Sequence, residues 1–107
     1  IGLSKKNSHK GEYNSKHSFD AGSAWENLAL QATSMGLIAH GMAGFNGELL
    51  RKELNIKEDY EIELMIAIGK PGNIKDLPEN LQAMEVPNSR KNLSEIVFEG
   101  KEGAEKL

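Results

Sequence analysis

A chain of 107 residues has room for one small domain and a shallow core. Its 13 basic and 16 acidic residues are interspersed and sum to a net charge of −3, so it offers no basic face for nucleic acid, and none of its apolar runs approaches a membrane span. Cysteine is absent, which excludes disulfides, thiolate nucleophiles and Cys-based zinc sites and suits a cytoplasmic protein. The sequence begins at Ile1 on a polar, basic stretch, and a preceding N-terminal portion is expected.

Residues 1–19 carry Lys5, Lys6, His9, Lys10, Lys16 and His17 among Asn, Ser and Gly, with few apolar side chains to offset ordering, and read as a linker or surface loop. From Asp20 the spacing of Ala24, Trp25, Leu28, Ala32 and Met35 predicts an amphipathic helix, started by Ser18 or Asp20 and ended by Gly36. Trp25 falls on its apolar stripe and is expected in the core. A short apolar run, Leu37-Ile38-Ala39, leads to the glycine-rich Gly41-Met42-Ala43-Gly44-Phe45, and Asn46 is placed to cap a second helix reaching about Leu54. Alternation of Ile62, Leu64, Ile66 and Ile68 then predicts a strand whose far end is covered on both sides. Lys70-Pro71-Gly72-Asn73 has turn chemistry, a short helix is expected near 78–85, and Leu93-Ser94-Glu95-Ile96-Val97-Phe98 reads as an extended apolar tail.

Gly36, Gly41, Gly44 and Gly47 fall between the two predicted helices. Glycine admits positive φ and lets a planar ligand approach the backbone, although a helix C-cap followed by a tight loop explains the same residues. The spacing matches neither the dinucleotide G-x-G-x-x-G nor the P-loop. Arg90, beside Ser89 and Lys91, suits a terminal phosphate and equally suits a solvated turn. His9, His17 and His40 lack metal-ligand spacing, and the carboxylates of 58–63 read as a solvated face.

Five segments in register resemble the C-terminal half of the nitroreductase family: residues 19–32 (FDAGSAWENLALQA), Met35-Gly36-Leu37, Gly44-Phe45-Asn46, residues 50–56 (LRKELNI) and Ala67-Ile68-Gly69-Lys70-Pro71. The resemblance covers about Ser4 to Gly100. It implies an α+β fold with an antiparallel sheet flanked by helices, residues 20–107 being the C-terminal part of one domain, and an intertwined homodimer with FMN at the subunit interface. It places Met42, Ala43 and Gly44 against the isoalloxazine ring and Arg90 on the FMN phosphate, with the flavin itself performing the chemistry and no catalytic side chain named. It further implies NAD(P)H as reductant, nitroaromatics, quinones or similar acceptors, and a ping-pong cycle. Its alternative is a non-catalytic flavin-binding or dimerisation module of the same fold. Many members carry an acidic residue where Ala43 stands and others a lysine where Asn88 stands. The family's N-terminal Arg-Arg-Ser-type segment has no counterpart in these residues, so weak FMN binding is expected of them alone.

Overall fold

The computed structural model describes residues 1–100 and divides into two units, Ile1–Pro71 and the residues from Gly72 onward. The first holds an antiparallel three-stranded sheet and two helices: β1 (Gly2–Lys5), α1 (His17–Ser34), β2 (Ile38–Met42), α2 (Gly47–Glu53) and β3 (Tyr60–Gly69). β3 is central, in the order β1-β3-β2. It pairs with β1 through Leu3↔Ile62 and Lys5↔Tyr60, and with β2 from Ile38↔Gly69 to Met42↔Met65.

The opening segment is therefore more than a linker. β1 gains a main-chain ladder from β3, Lys6 N–H donates to the Asp59 carbonyl at 2.8 Å, and Asn7 bridges Tyr13 around a turn in which Gly11 takes φ +81°. A side-chain count sees none of this backbone pairing, which offsets the ordering entropy that composition alone leaves uncompensated.

α1 begins three residues before Asp20. Neither expected cap starts it: Asn14 accepts from Lys16 N–H through Oδ1 and from His17 N–H through its carbonyl, while Ser18 Oγ is committed to Glu63 at 2.7 Å. Asp20 lies in the first turn, where a carboxylate complements the helix dipole. The C-terminus closes as a Schellman motif, with Gly36 at φ +71° donating to Thr33 O and Leu37 N–H donating to Ala32 O. Ala21, Ala24, Trp25 and Leu28 face Leu64 and Ile66 across an apolar groove, and Ala32 is buried. The stripe stops there, because Met35 lies past the helix and is 64% exposed.

α2 follows its predicted cap, with Asn46 Oδ1 accepting from Leu49 N–H at 3.0 Å. β3 runs as its alternation requires, but its far end is open in this chain: Ala67 is exposed and Ile68 is 51% exposed. In the second unit a 3₁₀ turn at Ile74–Asp76 precedes α3 (Glu79–Gln82). The first four residues of the expected extended tail instead form one helical turn, α4 (Leu93–Ile96), and the chain becomes extended at Val97. Its start is polar: the Glu95 carboxylate accepts from Asn92 N–H at 2.9 Å, which an apolar reading of Leu93–Phe98 passes over. Among the described residues no helix is long and apolar enough to cross a membrane.

Candidate functional site

β2 ends at Met42, and the backbone turns through Ala43, Gly44 and Phe45 into α2. The turn is held at both ends. Met42 is registered against Met65 of β3, and Asn46 caps α2; between them Phe45 N–H donates to Ala43 O at 3.0 Å. Met42 is half-buried, whereas Ala43 and Gly44 are exposed. A Cβ built on Gly44 meets nothing within 4 Å. Gly44 is not among the described glycines with positive φ, which are Gly11, Gly36 and Gly100, so the absent side chain leaves free space rather than relieving backbone strain. The result is a short stretch of backbone with clear room in front of it, which suits the approach of a flat ring.

Gly41, one residue earlier, differs. A Cβ there would lie 3.0 Å from Leu64 Cδ1 and 3.1 Å from Trp25 Cζ2. Trp25 lies on the apolar face and sits on this glycine, but it is half-buried rather than fully in the core as expected.

Arg90 belongs to the second unit, is exposed, and donates through Nη1 to Asn88 Oδ1. Asn88 thus acts as a neutral acceptor for the guanidinium.

Two further constellations join residues that are far apart or unmarked in the sequence. Ser4, 4% exposed, donates to Glu63 Oε1 at 2.5 Å and lies 2.8 Å from His17 Nδ1, while Ser18 donates to the same carboxylate oxygen at 2.7 Å. Tyr13 packs edge-on against the His17 ring at 5.8 Å. This cluster joins β1, the first turn of α1 and β3, so Glu63 is no member of a solvated face, although Glu58 is exposed beside Arg51 and Glu61 is half-buried beside Lys6. Because the serine hydrogen points at Glu63, Ser4 is not activated by the imidazole and the cluster is structural. Period-2 alternation placed Glu63 on the polar side of its strand, but no local signal linked it to residues 4 and 18. The second is Arg51, whose guanidinium donates to the carbonyls of Ile56, Lys57 and Tyr60 at 3.3, 2.8 and 3.0 Å.

Hydrogen bonds from Ser4 and then Ser18, with His17 close by, hold the Glu63 carboxyl below the ordinary glutamate value against an opposing effect of burial. A depressed folded-state value means that this stabilisation is complete above the unfolded pKa and is lost as pH falls through the folded one. Glu63→Gln is accordingly expected to flatten the acid limb of the stability profile, read as melting temperature against pH. An unchanged acid limb would remove Glu63 from the account. Among the described residues no group of three His, Asp or Glu side chains is placed to hold a metal ion.

The nitroreductase family model matches residues 5–70. A solved crystal structure of an oxidoreductase containing FMN is similar at 38% sequence identity and a TM-score of 0.86, over 92% of this chain and 52% of its own. The chain thus spans about half the length of that relative. No curated protein matches. With a family match over more than half its residues, the chain belongs to the nitroreductase family.

Proposed function

We propose that this chain forms part of an FMN-dependent oxidoreductase that takes hydride from NAD(P)H and passes electrons to nitroaromatics, quinones or related acceptors in a ping-pong cycle. The observation that carries this reading is the open turn at Met42, Ala43 and Gly44, anchored at both ends and free of side-chain bulk at Gly44, in a chain similar to an FMN-containing oxidoreductase. Bound FMN supplies the hydride acceptance and the onward electron transfer. The residues of the turn orient and exclude: Met42 gives an apolar flank, and Ala43 and Gly44 leave backbone to lie along the ring. Arg90 is assigned to the phosphate, where a guanidinium fork matches phosphate oxygens. Exposed Phe19, Leu30, Ile38 and Leu49 on the first unit leave apolar surface for a partner subunit, which supports a homodimer, and the absence of cysteine suits a cytoplasmic setting.

Stopped-flow mixing of the full-length flavoprotein with NADH or NADPH without oxygen tests the reading. Loss of the visible flavin absorbance, its recovery on adding a nitroaromatic or quinone, and parallel double-reciprocal plots are expected. A protein that binds FMN but is reduced by neither nucleotide would be a flavin-binding module instead. Arg90→Ala is expected to weaken FMN by about 1.5–3 kcal/mol, the range for a hydrogen bond to a charged group. Equal dissociation constants for wild type and variant, measured by flavin fluorescence, would remove Arg90 from the site.

A further inference from the structure

We propose that Trp25 is a positioning residue for the Met42–Gly44 turn, acting through Gly41; this rests on the reading that the turn faces the flavin. The chain has a single tryptophan, and its indole lies where a side chain of Gly41 would be, with Cζ2 at 3.1 Å and Cε2 at 3.4 Å from the ideal Cβ position. Leu64 Cδ1 also approaches that point, at 3.0 Å, but it is the tip of a flexible side chain and can rotate away. The indole has no such freedom. It is a rigid plate on an 18-residue helix that is closed by the Gly36 motif at one end and tied to β3 through Ser18 and Glu63 at the other. The indole therefore limits how closely β2 approaches α1 at this point, and the next residue along the strand is Met42, where the turn begins. Asn46 and the Met42↔Met65 pair hold the turn to its own strand and helix, while Trp25 limits its approach to α1.

The two residues make opposite errors when changed. Trp25→Phe removes the outer carbons of the indole and lets β2 settle toward α1, whereas Gly41→Ala inserts a methyl group and lifts β2 away. Placed together, the new methyl occupies the space the smaller ring vacates. In the full-length protein each single variant is expected to weaken FMN about tenfold, within the range of coupling between residues in contact. Each should also shift the flavin midpoint potential, and the double variant should recover most of both changes. Melting temperatures measured alongside separate this from a general loss of packing, which would lower stability without moving the potential. Losses that add in the double variant would overturn the assignment. So would a Trp25→Phe protein with wild-type FMN affinity and potential, a result that decides the matter even if Gly41→Ala does not fold. A wild-type protein that binds no FMN would overturn the flavin reading itself, and is distinguishable from failure of the assignment on a protein that does bind.

Discussion

Gly44→Val is expected to abolish FMN retention while leaving the melting temperature of the flavin-free protein close to wild type. The fold tolerates the new side chain because the Cβ position is open and the backbone is outside the left-handed region, so neither a clash nor strain arises within the chain. The flavin does not tolerate it, because the branched side chain fills the space in front of the turn and its stiff χ1 prevents it from folding aside. A loss of about 2.8 kcal/mol or more, a hundredfold in Kd, is expected in a fluorescence titration. The same change at Gly41 should instead lower the melting temperature, since the Trp25 indole already occupies that space. Full flavin occupancy in Gly44→Val would return this glycine to the role of an ordinary loop residue.

Arg51→Ala is expected to cost about 3 kcal/mol of stability without touching the flavin site, because three hydrogen bonds from one guanidinium would be lost together, although Lys57 O keeps the Tyr60 N–H. Those bonds fasten α2 to the chain that re-enters the sheet at Tyr60, across a bend where Asn55 takes φ +51°. The nearby Glu58 carboxylate, 3.9 Å away and 88% exposed, contributes little. Arg51→Lys should recover less than half of the loss, since an ammonium lacks the planar fork that reaches three acceptors. Urea denaturation reads both variants, and an Arg51→Ala protein within about 0.5 kcal/mol of wild type would show the fork to be dispensable.

The parts of this fold that the sequence made legible are those encoded locally. Asn46 three residues before Leu49 announced α2, period-2 alternation announced β3, and Gly36 announced the end of α1. What it hid depends on partners far along the chain. β1 exists because β3 lies beside it, and Ser4 is buried because Glu63, 59 residues away, accepts a hydrogen bond from it. α1 starts early because Ser18, a plausible cap, is drawn off to that same carboxylate. The tail misled for the opposite reason: apolar residues 93–98 suggested extension, while a local Asn92–Glu95 bond winds Leu93–Ile96 into a turn and leaves only the residues from Val97 extended. For the site, the turn at Met42–Gly44 was visible in the glycine spacing, and the requirement for Gly at 41 was visible only once Trp25 had been brought onto it.

The central claim is that the Met42–Gly44 turn is the edge of a flavin site, and a crystal structure of the full-length protein with FMN tests it most directly. The isoalloxazine ring is expected in van der Waals contact with the Ala43 and Gly44 backbone. A ring bound elsewhere on the molecule, with solvent in front of Gly44, would contradict it.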